Sequence, residues 1–341
     1  MRASWIVACS ASGLLVLLAA CAGSAPRTAS AGQSGSAGHG GYAQLTTSEA
    51  YSAFTQFLPQ FAALSAHPTD IGRLTTGPEF QVVTTSHGPP GPAVGELTDT
   101  RILVPKLTSY PRWFIAGGTN SSTGQGFLFV LVQRAAQGPW QETAELYDLG
   151  PQPRLMPDLA AAGFSPAAMA ETVASPGASL AMQPAQLPAA YAQYLNDKGK
   201  GAQHGKFKAG SYTTGLISLE HTASAGAQPR GWKYTDTQAA AGLPQYTLRL
   251  PAGQGAAVIF FTVDRVTWTA QSSARIPTAT YTGLSEPPLR MLQALGIKAV
   301  HPGLRVSVKA VDENLAFIGP PGTSGVTIAA NVGRTDGLSK S

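Results

Sequence analysis

Residues 304–318 read LRVSVKAVDENLAFI, and their pattern sets the fold class. Leu304, Val306, Val308 and Ala310 fall on one face of an extended chain, and Arg305, Ser307 and Lys309 on the other. That period of two predicts a strand in an antiparallel sheet with one wet face. Asp312-Glu313-Asn314 predicts a turn, followed by a short strand at 315–318, and residues 326–332 complete the sheet. Upstream, Val258-Ile259-Phe260-Phe261 is apolar throughout, so 257–264 predicts a central strand covered on both sides. Further strands are expected at 212–219, 245–250 and 279–284. A helix carrying Leu187, Tyr191 and Leu195 at spacings of four precedes them.

The first half of the chain shows the same order. Thr46-Thr47-Ser48-Glu49 is a capping-box pattern that opens a helix with an apolar stripe at Tyr51, Phe54, Leu58, Phe61 and Leu64. Strands are expected at 80–83, 101–104, 113–116, 127–133 and 141–147, separated by Gly, Pro and Asn turns. Helix then antiparallel sheet, twice, predicts an α+β protein. The two helix-plus-curved-sheet units are expected at 42–175 and 176–335. Ser165-Pro166-Ala167, in a Pro/Ala-rich stretch over 150–188, has the form of a helix start.

The N-terminus has another character. Met1-Arg2-Ala3-Ser4 precedes an apolar run over 5–18, too short for a membrane span of ~20 residues. It ends in Leu18-Ala19-Ala20-Cys21, which resembles the lipobox of bacterial lipoproteins. The resemblance implies a signal peptide over 1–20, acylation of Cys21, and a lipid anchor on the extracytoplasmic side of the cell membrane. Cys9 would leave with the signal peptide, so no disulfide is expected. Residues 22–41 are a Gly/Ser/Ala linker without enough apolar surface to fold. As a flexible chain it reaches about 25 Å.

With 43% hydrophobic residues, the 341-residue chain has enough apolar surface for sizeable cores. Charged residues make up only 12%, and a net charge of +5 over such a length is too dilute to indicate nucleic acid.

Tyr110-Pro111-Arg112-Trp113-Phe114, residues 128–132 (LFVLV) and Gly138-Pro139-Trp140 resemble the middle of a family of actinobacterial lipoproteins without an assigned activity. Helix followed by curved sheet also resembles the cystatin-like, nuclear-transport-factor-like cone fold, here in tandem. That resemblance implies a concave sheet able to hold a pocket, lined by aromatics such as Trp113 and Trp140.

Candidate chemistry is sparse. The histidines at 39, 67, 87, 204, 221 and 301 make no zinc spacing, and no metal or other cofactor is expected. There is no Gly-x-Ser-x-Gly elbow, Ser-x-x-Lys or phosphate loop. Glu142, Glu145 and Asp148 read as exposed charges guarding a strand edge, with Glu145 on the face opposite the other two. Lys198, Lys200, Lys206 and Lys208 form a basic loop suited to anionic lipid headgroups or wall polymers.

These observations predict a non-enzymatic binding or assembly module in the envelope. The alternatives are a carrier of an apolar ligand and an enzyme with a dispersed site. Asp264 and Asp148 are the residues to watch. Either one placed deep in a cavity, within hydrogen-bond reach of His, Tyr or another carboxylate, would favour the enzyme.

Overall fold

Strand β3 (Gly126–Gln133) is buried along its whole length, because both faces of its sheet are covered. The computed structural model describes residues 44–65, 71–86, 94–148, 155–161, 180–250, 255–278, 283–323 and 325–341. The signal peptide, Cys21, the linker and the 165–167 helix start therefore lie outside the described residues.

The first sheet has the order β1 (Leu97–Leu103), β2 (Arg112–Asn120), β3, β4 (Trp140–Tyr147), all antiparallel. The second runs β5 (Trp232–Ala240), β7 (Ala256–Ala270), β8 (Arg305–Ile318), β9 (Val326–Lys340), with β6 (Tyr246–Arg249) also paired to β7. The fold is α+β, with one antiparallel sheet in each half of the chain.

Helix α1 (Thr47–Ala62) starts at the expected capping box. Glu49 N donates to Thr46 Oγ1 at 3.2 Å, and Thr46 N to the Glu49 carboxylate at 2.8 Å. Its buried Phe54, Phe57 and Phe61 meet Phe114, Phe127 and Phe129 on one face of the first sheet. The opposite face, with Trp113, Leu128, Val130 and Leu146, packs on Ile259, Phe261, Val311 and Val332 of the second sheet. The far side of the second sheet is covered by α5 (Leu187–Asn196), α6 (Leu216–Ala227) and α7 (Leu289–Ala294). The layers thus run helix, sheet, sheet, helix, and the two halves share a core.

Four expectations are corrected. The strand expected at 279–284 is not formed where it is described: Gly283–Ser285 is a single 3-10 turn, and residues 279–282 lie outside the described residues. Residues 80–83 belong to helix α3 (Gly77–Ser86), which follows the short α2 (Ile71–Leu74) and whose Pro78 in the first turn pre-sets the helical φ. Residues 212–219 form a π-turn over Ser211–Gly215 that runs into α6, whose Ala223 and Ala227 bury a helical face. Asp312-Glu313-Asn314 makes no turn. It continues β8, and all three side chains are buried. The wet-face pattern holds only near the start of β8, where Arg305 is exposed. Beyond it the first sheet and the helices cover both faces.

Trp113 packs across the sheets, meeting Tyr246 edge-on at 5.2 Å between ring centres. Trp113→Ala should cost about 3–5 kcal/mol, measured by denaturant unfolding. A loss under ~1 kcal/mol would show that the shared core carries little stability.

Candidate functional site

Among the described residues, two clusters of titratable groups lie inside the fold. The first sits in the seam between the sheets, beside their shared apolar core. Helix α3 packs across β4 and β9 there and carries Glu79. The β3–β4 register shifts between Val130 and Leu131, leaving Thr143 as an extra residue on β4. This bulge changes the parity of the strand, so Glu142 and Glu145 point to the same place instead of opposite faces. One carboxylate oxygen from each of Glu79, Glu142 and Glu145 lies within 4.8 Å of those of the other two, and all three residues are buried. The edge-guarding reading of these two residues is therefore corrected: neither is exposed.

Arg334 of β9 enters this cluster. Its Nη1 donates to Glu79 Oε1 at 2.5 Å and its Nη2 to Glu145 Oε2 at 2.6 Å. The Glu145 backbone N–H donates to Glu313 Oε2 at 2.6 Å, tying β4 to β8. The guanidinium also lies 5.8 Å from the Tyr147 ring centre. Burial works against the charge of Arg334, but Glu79, Glu145 and Glu313 more than offset it and raise its pKa. Burial pushes Glu145 up to about 7, with Arg334 pulling the other way. Burial and the charges of Glu79 and Glu145 push Glu142 well above the carboxylate range, and burial does the same for Glu313. One guanidinium thus faces four buried carboxyl groups. Removing it would strand those acids, so Arg334→Ala should cost about 3–5 kcal/mol by chemical denaturation. A variant as stable as the parent would show that the ion pairs are not needed.

The second cluster lies on the helix-covered face of the second sheet. Asp264 of β7 is half-buried and lies beside Asp236 of β5. Burial first, and then Asp236, raise Asp264 to about 10. Burial and the charge of Asp236 raise Asp312 to about 7, against hydrogen bonds with Gln238 and Thr262. Asp264 thus has a neighbouring carboxylate but is only half-buried and lines neither of the clefts beside Lys198 and Lys208. The Asp148 carboxylate instead accepts from Gly126 N and from Leu155 N at the start of α4 (Leu155–Ala161), both at 2.9 Å.

The other sequence candidates are dispersed. Lys198 pairs with Glu220 at 2.5 Å, and with Lys200 it lines a cleft of about 530 Å³ beside α6. Lys208 lines a separate cleft of about 510 Å³ near Asp158 and Phe317. Lys206 is exposed, and its carbonyl accepts from Val326 N at 2.7 Å. Trp113 is packed between the sheets and Trp140 lies edge-on to Phe114 at 4.8 Å, so neither lines those clefts. His204, His221 and His301 are exposed.

The chain belongs to the family described as Domain of unknown function (DUF8094), whose match spans residues 81–288. That span takes in Glu142, Glu145, Asp236 and Asp264, and stops short of Glu313 and Arg334. Among curated proteins, one described as "Uncharacterized lipoprotein" from Streptomyces avermitilis is 32% identical over 117 residues. The match covers 34% of this chain and 33% of that relative's length. No solved structure matches the chain. Among the described residues, no helix is long and apolar enough to cross a membrane.

Asp264 and Asp312 bind their protons more tightly in the folded protein than in an unfolded chain, where an Asp titrates near ~3.9. The stability they confer is complete below that value. It is lost as pH rises, through about 7 for Asp312 and about 10 for Asp264. Melting temperature should therefore fall between pH 5 and pH 8, and Asp264→Asn should flatten the slope by up to ~1.4 kcal/mol per pH unit. An unchanged slope in the variant would contradict this assignment.

Proposed function

We propose that this protein is a lipid-anchored module of the cell envelope that binds or assembles a partner on the extracytoplasmic side of the membrane. The observation that carries the reading is the Leu18-Ala19-Ala20-Cys21 junction, placed ahead of a linker and a compact unit spanning Tyr42–Ser341. The lipoprotein description of the Streptomyces avermitilis relative supports the anchor. Two or more acyl chains on Cys21 give stable attachment, where a single chain would be marginal. Acids and Arg334 buried at the sheet seam support a rigid body displayed on a tether, since they stiffen the interior and offer no open face to a substrate. The partners that fit are an envelope protein or an apolar ligand, with the exposed Lys200, Lys206 and Lys208 facing anionic headgroups or wall polymers and Lys198 already paired with Glu220.

Intact-mass analysis of protein extracted from its own membranes should show loss of residues 1–20 and added acyl mass at Cys21. Cys21→Ser should release the protein into the soluble fraction. A serine variant that stays equally membrane-bound would contradict the anchor. Crosslinking of the acylated protein in those membranes then reports the partner.

One observation favours a second reading, acid–base catalysis. Asp264 is held in its protonated form at neutral pH beside Asp236, as a general acid requires. An epoxide probe that esterifies a carboxylate next to a proton-donating acid should then label one of this pair near neutral pH. Absence of labelling on the native protein would leave the binding reading in place.

A further inference from the structure

Arg334 satisfies only part of the acid cluster in the seam. It takes Glu79 Oε1 and Glu145 Oε2. Glu79 Oε2, Glu145 Oε1 and both side-chain oxygens of Glu142 are buried without a hydrogen-bond partner among the described residues. A buried carboxylate oxygen without a partner carries its full desolvation penalty, and here four of them belong to three neighbouring side chains. Glu142 is the decisive one: it is fully buried, it makes no bond to Arg334, and it joins the other two only because of the bulge at Thr143.

We infer that Glu79, Glu142 and Glu145 hold one hard divalent cation, calcium by preference, in the seam between the two sheets. The mutual spacing of one oxygen from each residue, within 4.8 Å, suits an ion bound at about 2.3–2.6 Å. When Glu79, Glu142 and Glu145 are ionised, these three carboxylates, the Arg334 guanidinium and one divalent cation are neutral together. All-oxygen donors exclude a preference for soft metals. Calcium accepts flexible geometry and bidentate carboxylates, and three such groups approach its usual ~6–8 oxygens. Magnesium keeps several waters in a strict octahedron, which a site sealed from solvent does not favour. With ligands on α3 and β4, and Arg334 of β9 sharing two of them, the ion would reinforce the joint between the halves. Because the site is sealed, the ion enters as the chain folds.

The test refolds the full chain from denaturant with EDTA or with millimolar calcium chloride, then measures bound metal by elemental mass spectrometry and melting temperature by fluorescence. The expected result is one retained equivalent of calcium and a melting temperature several degrees above that of the EDTA sample. Glu142→Gln should weaken retention roughly tenfold or more and remove the gain in melting temperature. Retention of one equivalent of magnesium or manganese, lost in Glu142→Gln, would equally support a hard-cation site. No metal retained by the parent protein and equal melting temperatures in EDTA and calcium would overturn the inference. So would a Glu142→Gln variant that keeps its ion and its gain. If that variant fails to fold, the parent measurements alone decide.

Discussion

One buried guanidinium is the constraint on which the rest of this structure depends. Arg334 reaches from β9 to Glu79 on α3 and to Glu145 on β4, and so joins the last strand of the second sheet to the edge of the first. A charge in that position is stable only while its partners stay close, because bringing it into the interior costs several kcal/mol that the carboxylates must offset. The apolar contacts between the sheets are non-directional and would tolerate sliding. The two ion pairs and the bond from Glu145 N to Glu313 do not, so they fix the register of one sheet on the other.

The layered arrangement follows from the same joint. With α1 on one outer face, the α5–α7 helices on the other, and a shared core between the sheets, the central strands lose both of their solvent faces. That explains why β3 is buried throughout and why β7 is apolar from Ala256 to Phe261. It also explains how polar side chains come to be interior. On β8, Asp312 turns toward the helices and joins Asp236 and Asp264, while Glu313 turns toward the first sheet and joins Arg334. One strand therefore feeds both acid clusters.

Local signals in the sequence were readable. The capping box at Thr46–Glu49, the spacing of Leu187, Tyr191 and Leu195, and the unbroken run Val258-Ile259-Phe260-Phe261 each act within a few residues, and each forms the expected element. The acid clusters were not readable, for two physical reasons. Asp312-Glu313-Asn314 has the composition of a turn, and only partners on other strands make burial of those groups tolerable. Glu142 and Glu145 sit three apart, which on a regular strand separates them, and the bulge that reunites them leaves no mark in hydrophobic periodicity. The helix at Gly77–Ser86 was missed because its β-branched residues favour a strand locally, while Pro78 and packing against β4 and β9 decide otherwise.

Native-state hydrogen exchange on the unmodified protein tests the central claim most directly. If the Arg334 joint locks the halves into one cooperative body, the Glu145 N–H should exchange only with global unfolding. Its opening free energy should equal that of amides in β3 and β7. Exchange of the β1–β4 amides at a distinctly lower free energy than those of β5–β9, with Glu145 among the early group, would show that the halves open separately and would contradict the account.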